Sequence, residues 1–399
     1  MQEWKTYTLK DLSKGKGEYG IGASAIPFDK DKLTYLRITD INDDGTLNKS
    51  GLTSVDAVDA SKYLLEKNDI VFARTGNSIG RSYFYDGSDG PLVYAGFLIR
   101  FRLDDSKVNP RILKYYSHSK PYYDWVQSFD TGGTRGNINA KTYGDMPITL
   151  PPRHVQDRIV DILYSLDAKI ENNRRINDNL EQQAQALYKS WFIDNYQTEW
   201  PEYSLDEVTL KITDGVHNTV IDTPNGEYYL LSCKNIKNRR LTMSSSDRRI
   251  DEGTFNKLRK RTMLSKGDIL LSSVGTIGEL MLLNEDPHNY EFQRSVAIIK
   301  PNPVYISSYY LYETLISQID KITNTAHGAV QQCIFLSDLK EYTINIADKA
   351  LISRYDIIVK PFFDEITKRE KEIARLTSLR DSLLPKLMSG ELKINEIDC

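Results

Sequence analysis

Cysteine is scarce and histidine is scattered in this sequence. Three cysteines, Cys233, Cys333 and Cys399, and five histidines are spread over 399 residues. Thiols this far apart make neither a metal knuckle nor a disulfide framework, which points to a reducing cytoplasm. No apolar run approaches the ~20 residues that a membrane span needs. The first twelve residues are polar and lack the basic-then-apolar layout of a signal peptide. The expected location is therefore cytoplasmic, with no membrane partner. Catalytic signatures are missing too. There is no G-x-x-x-x-G-K-[ST] phosphate loop of a motor. There is no Asn- or Asp-Pro-Pro-Tyr run of the kind that holds a flipped base. No pair of histidines or cysteines has zinc-ligand spacing. The glycines of 15–20 follow no apolar strand, so a dinucleotide or methyl-donor site is not expected. Glu391-Leu392-Lys393, with Asp381 upstream, has the form of a nuclease Glu-x-Lys. It sits in a terminal tail with no sheet to hold a metal and is read as chance. No catalytic residue, metal ligand or cofactor site is expected.

What is present allows two to three domains. Hydrophobic residues make up 40% and charged residues 27%, enough for ordinary cores. The net charge of −3 does not mark a nucleic-acid binder. The distribution is more informative: residues 234–261 hold ten Lys/Arg against three Asp/Glu. Such a segment can supply phosphate contacts on an otherwise acidic protein, or be a solvated loop.

The sequence repeats itself at half its length. Residues 68–80, an apolar strand running into Arg74-Thr75-Gly76-Asn77-Ser78-Ile79-Gly80, match 267–278, which end in Ser272-Ser273-Val274-Gly275-Thr276-Ile277-Gly278. A second match joins 132–148 to 328–344, where a Gly-rich turn leads through Ile138 or Ile334 into a short apolar strand. The offsets are 199 (268 − 69) and 196 (328 − 132). Solenoid repeats run ~20–50 residues, so this period means two copies of a whole domain.

After each copy comes a heptad seam. Ile159, Leu163, Leu166, Ile170, Leu180, Ala184, Leu187 and Trp191 follow a 4-3 spacing, with Asn173 and Asn177 at the two remaining seam positions. The second seam is Ile352, Tyr355, Val359, Phe362, Ile366, Ile373, Leu376, Leu383 and Leu387, interrupted by Arg369 and Arg380. A helix of ~40 residues is ~60 Å long, too long for one small domain to cover. The two helices either pair with each other, antiparallel about the two-fold that a repeat implies, or pack separately on their own domains. The expected fold is mixed α/β: two α/β domains, 1–150 and 197–348, at the ends of a coiled-coil spacer made by helices within 151–196 and 349–399.

Three stretches then carry a family resemblance over essentially the whole chain. Leu150-Pro151-Pro152 with Gln156 is similar to the start of the central helix in specificity subunits of Type I restriction–modification systems. The run from Leu180 through Trp191-Phe192 resembles the end of that helix, and the run from Leu379 through Leu392 resembles the family's C-terminal signature. The chain begins directly in the first recognition domain. The resemblance implies a non-catalytic subunit that reads a bipartite site in double-stranded DNA through the major groove. It implies two methyltransferase subunits and two restriction/motor subunits as partners. S-adenosylmethionine, ATP and Mg would be theirs, with no cofactor in this chain. The dissimilar domain sequences imply an asymmetric target.

Base readout needs forked donors and acceptors, and Gly-rich turns let short polar side chains approach a groove. In the first domain the candidates are Arg74, Thr75, Asn77, Ser78 and Arg81 on one turn and Thr134, Arg135 and Asn137 on the other. In the second they are Ser273, Thr276, His327, Gln331 and Gln332. Lys234, Lys237, Arg239, Arg240, Arg259, Lys260 and Arg261 are expected at phosphates. Each turn is also readable as an ordinary hairpin, since Gly, Asn and Thr favour turns anyway. Tyr188, Trp191, Phe192 and Leu384 are candidates for the partner contact, or for packing on the neighbouring domain. Two other functions stay open: a coiled-coil scaffold without DNA readout, and a stand-alone DNA-modifying enzyme.

Overall fold

The structure is a computed structural model, and it describes residues 4–129, 136–244, 246–328 and 332–392. Two compact units divide the chain: Met1–Ile170 with Ala374–Cys399, and Glu171–Ile373. Both breaks fall inside the long helices. The reason is packing: each half-helix buries its seam in the core of the globular part nearest to it.

The first unit is organised by the strand Asp69–Ala73, buried along its whole length. Its side chains alternate between two cores, as a pleated strand requires. Ile70 and Phe72 enter one with Phe101, Tyr122 and Tyr143. Val71 and Ala73 enter another with Leu36 and Tyr94. The antiparallel sheet runs in the order Glu18–Tyr19, Leu98–Arg102, Asp69–Ala73, Ser82–Tyr85. A second four-stranded sheet orders Ala25–Pro27, Thr53–Val55, Leu33–Leu36 and Leu92–Tyr94. Lys5–Thr8 pairs with Pro147–Leu150 and ties the two ends of the globular part together.

The second unit has the same plan. Its main sheet orders Thr209–Asp214, Val296–Pro301, Ile269–Ser272 and Leu280–Leu282. Ile269 and Leu271 face one core, Leu270 the other. A smaller sheet orders Arg248–Ile250, Tyr228–Leu231 and Tyr290–Phe292. Glu202–Ser204 pairs with Thr343–Asn345, as Lys5–Thr8 does with Pro147–Leu150.

The long helices are Arg153–Tyr188, continued by a π-helical turn Lys189–Ile193, and Lys349–Ser389. They pack on each other through the expected seams. In the second unit, Tyr355 Oη donates to the Ala184 carbonyl at 3.2 Å, and Asn177 Nδ2 donates to Glu370 Oε1 at 2.6 Å. Asn173 Nδ2 donates to Glu372 Oε2 at 2.9 Å and its Oδ1 accepts from Arg369 Nη1 at 2.9 Å. One partner number falls as the other rises, so the segments are antiparallel. In the first unit, Ile159 and Leu163 share a core with Leu384 and Leu387, and Arg380 Nη1 donates to Asp167 Oδ1 at 3.1 Å. The polar interruptions of the two seams are thus partners of polar groups on the facing helix. Pro361 lies inside the second helix and frees the Ile357 carbonyl. Ile357 is 73% exposed, so water can take the vacancy.

Candidate nucleic-acid interface

In each unit the two turns singled out by the repeat stand side by side. In the first, Ile138 N–H donates to the Arg74 carbonyl at 2.9 Å, and Thr75 forms an antiparallel bridge with Asn137. In the second, Ile334 N–H donates to the Ser273 carbonyl at 2.9 Å, and Val274 bridges Cys333. The paired residues are offset by 199 (273 − 74) and 196 (334 − 138), the offsets of the sequence repeat. A third segment joins each pair: Arg74 N–H donates to the Phe97 carbonyl at 3.0 Å, and Ser273 N–H to the Ser295 carbonyl at 2.9 Å.

Glycine closes each turn for a steric reason. Gly80 and Gly278 have φ of +81° and +92°. A Cβ there would lie 2.6 Å from Val126 Cγ1 or 2.8 Å from Thr323 Cγ2, on the helix behind the turn. Gly20 and Gly215 are a second repeated pair that the sequence comparison missed. A Cβ on them would approach the carbonyls of Tyr94 and Phe292 to 2.3 and 2.0 Å. Those approaches hold the strand just before each turn segment against its neighbour.

The turns differ in what they display. Arg74 is half-buried, its guanidinium 5.0 Å over the exposed Tyr19 ring, with no carboxylate partner among the described residues. Its Nε is buried with no hydrogen-bond partner among the described residues. Asn77 and Asn137 are exposed and Thr75 half-buried, but Ser78 is buried. Arg81 donates to the Ile41 carbonyl at 3.0 Å and pairs with Asp43 at 2.5 Å. Thr134 and Arg135 lie outside the described residues, as does Gln331. In the second unit Thr276 and Gln332 are exposed, while Ser273 is buried. His327 Nε2 is 3.0 Å from Asp338 Oδ2, and its ring stacks on Phe335.

The basic segment separates into two classes. Lys237 and Lys260 are exposed, with no ion pair among the described residues. The other five candidates are committed. Lys234 pairs with Asp247 at 3.0 Å. Arg239 and Arg240 face Glu181, and Arg240 Nε donates to Glu370 Oε1 at 2.8 Å. Arg259 pairs with the fully buried Glu291 and donates to the carbonyls of Pro287 at 2.7 Å and Tyr290 at 3.0 Å. Arg261 donates to the Gly215 carbonyl at 2.8 Å and Asp214 Oδ1 at 3.0 Å. Ser78 and Ser273 are buried, Arg240 Nε and Nη1 donate to carboxylates, and all three guanidinium nitrogens of Arg259 donate within the protein.

Two residues join the surface that the sequence did not single out. Tyr19 offers an exposed ring under Arg74, and its Oη accepts from Ala140 N–H at 3.1 Å. Arg294 is exposed on the segment that Ser273 binds, and has no ion pair among the described residues. Burial pushes the Cys333 thiol up, and the Arg294 charge opposes that shift. Their only signal in the sequence is position, one residue before Gly20 and one before Ser295.

Tyr188 and Phe192 are buried in an aromatic group with Tyr310 and Tyr355, rings 4.8–6.2 Å apart. Such pairs add about 0.5–1.5 kcal/mol each beyond their buried area. Leu384 packs in the core of the first unit. Trp191 is half-buried, with Arg354 5.7 Å over its ring. Among the described residues no group of His, Cys, Asp or Glu could hold a metal, and no helix is long and apolar enough to cross a membrane.

Two α/β units of matching sheet order, each with a pair of bridged Gly turns and each holding paired segments of two long helices, define a class of fold. It is that of the S subunit of a Type I restriction–modification system from M. genitalium, whose crystal structure superposes with a TM-score of 0.54 over 96% of both chains at 17% identity. Residues 1–182 match the family model described as Type I restriction modification DNA specificity domain. The chain is 25% identical to the Type I restriction enzyme MjaIX specificity subunit of Methanocaldococcus jannaschii, over 71% of this chain and 69% of that one. It is 24% identical to the EcoBI specificity subunit of Escherichia coli, over 98% and 86%. In sequence and in fold the chain is thus similar to Type I restriction–modification specificity subunits.

Proposed function

We propose that this chain reads an asymmetric, bipartite DNA target, one half with each unit's turn pair in the major groove. On this reading, residues 1–150 and 197–348 are the recognition domains and the helices of 151–196 and 349–399 are the spacer. Two methyltransferase subunits and two restriction/motor subunits complete the assembly. One observation carries the proposal: the same turn pair, held by the same hydrogen bonds, occurs twice with different side chains at its tips. One unit displays Arg74, Thr75, Asn77 and Asn137 where the other displays Thr276 and Gln332, so the two halves should differ in sequence. Lys237, Lys260 and Arg294 are free for phosphate. At the partner contact, Trp191 is the best placed of the four candidates, because Tyr188, Phe192 and Leu384 are already packed.

The test is co-expression with the methyltransferase of the same system, followed by single-molecule sequencing of host DNA for methyl-adenine. The expected result is one bipartite, asymmetric motif that vanishes when this chain is omitted. A complex that forms and adds no motif would leave a scaffold and end the recognition reading.

A further inference from the structure

Each globular part is tied to its helix segments by a partly buried ion-pair clamp. In the second unit, Ile236–Lys237 and Arg240–Leu241 form a small hairpin whose turn residues Asn238 and Arg239 both have positive φ, 49° and 63°. Arginine in that region is strained. The strain turns two consecutive guanidiniums onto the helices. Arg240 Nη1 pairs with Glu181 of the first helix, and Arg240 Nε donates to Glu370 Oε1 of the second at 2.8 Å. Arg239 Nη1 is 3.7 Å from Glu181 Oε2. Asn177 Nδ2 donates to the same Glu370 oxygen at 2.6 Å. In the first unit the globular side again supplies the cation, and the second helix supplies an arginine in place of a carboxylate. Asp167 of the first helix accepts from Lys114 Nζ at 2.7 Å, Tyr115 Oη at 3.1 Å and Arg380 Nη1 of the second helix at 3.1 Å.

Ion pairs removed from water this way are a weak source of stability, because desolvation offsets their attraction and apolar side chains of similar size often hold as well. What they have that apolar packing lacks is direction. A carboxylate accepts along fixed lines, whereas a greasy helix face tolerates a slide or a small rotation. We infer that Arg239 and Arg240, through Glu181 and Glu370, and Lys114, through Asp167, are positioning residues that fix where each reading surface stands on the helix pair, and thereby restrict the DNA target to one spacing between its halves. This inference rests on the bipartite reading above.

The test uses the full chain with its methyltransferase and reads the spacing of methylated motifs in host DNA. An apolar clamp variant, Asn177→Leu with Glu181→Leu, Arg239→Met, Arg240→Met and Glu370→Leu, removes both sides of every ion pair in the clamp. It should fold and assemble, keep both half-site sequences, and methylate sites one base pair longer or shorter at a tenth or more of the original occupancy. If the wild-type chain gives no bipartite motif, the recognition reading fails and the inference with it. If the wild type gives one and the variant keeps a single spacing at full occupancy, the inference alone is overturned. It is overturned equally if the variant does not fold, since the clamp is then a stability device. Loss of methylation at every spacing with fold and assembly intact also overturns it, by showing that the arginines serve reading itself.

Discussion

Glu313 is a carboxyl with no ion pair among the described residues. It is 1% exposed, and its Oε2 has no hydrogen-bond partner among them. Burial pushes its pKa up to about 8, with the Arg239 charge opposing and the Glu181 charge adding. The unfolded chain ionises this group near 4.5. Its contribution to folding is therefore complete below pH 4.5, is lost as pH rises toward 8, and is flat above that. Glu313→Gln should raise Tm at pH 8, by the equivalent of roughly a few kcal/mol, and leave it unchanged at pH 4. Thermal scans from pH 4 to 9 that run parallel for the two proteins would sink the assignment. Two adjacent cations give a second contrast. Arg259 is held by buried Glu291 and two carbonyls, whereas Lys260 is exposed. Arg259→Ala should cost about 3 kcal/mol by leaving a carboxylate buried alone. Lys260→Ala should change stability by less than about 0.5 kcal/mol. Urea unfolding of the two variants checks both, and a reversed order would refute the division of the basic segment.

At the scale of elements, the 4-3 seams were legible because a 3.5-residue period is a direct imprint of helix pairing. Their polar positions were legible as interruptions but not as partners. Asn173 meets Arg369 and Glu372 across 196 and 199 residues of chain, and no local pattern encodes that. The two asparagines differ in completeness. Both amide ends of Asn173 are satisfied, but Asn177 Oδ1 is buried without a partner. Asn177→Leu should leave Tm unchanged or raise it. Asn173→Leu should lower stability by about 1–3 kcal/mol, because Arg369 and Glu372 each lose a hydrogen bond. Equal losses from the two substitutions, measured by thermal unfolding, would show that the seam does not discriminate between its polar positions. The hairpin of 236–241 was illegible for the same reason as the seam partners. Its sequence reads as basic, and its acids are 59 and 130 residues away.

For the whole molecule, the repeat was readable because turns built by the same backbone hydrogen bonds need glycine at the same places, and glycine is conspicuous. The distribution of usable charge was not. Ten basic residues in 234–261 look like a phosphate track, but folding pairs Lys234, Arg239, Arg240, Arg259 and Arg261 with acids. With a net charge of −3, little long-range attraction for DNA remains. Arg74, Lys237, Lys260 and Arg294 are four cations near the turns or on the basic segment that have no ion pair among the described residues. About four phosphate contacts at ~0.9 each give a slope of log K against log salt near −3.6, or roughly a hundredfold loss between 50 and 200 mM salt. Binding of a target duplex by the isolated chain, titrated over that range by fluorescence anisotropy, should show this shallow dependence. The assembly with methyltransferase should be steeper by whatever cations the partner adds. A slope near −10 for the chain alone would mean that the paired arginines leave their carboxylates on contact with DNA, and that the clamp at Glu181 and Glu370 opens as the protein binds.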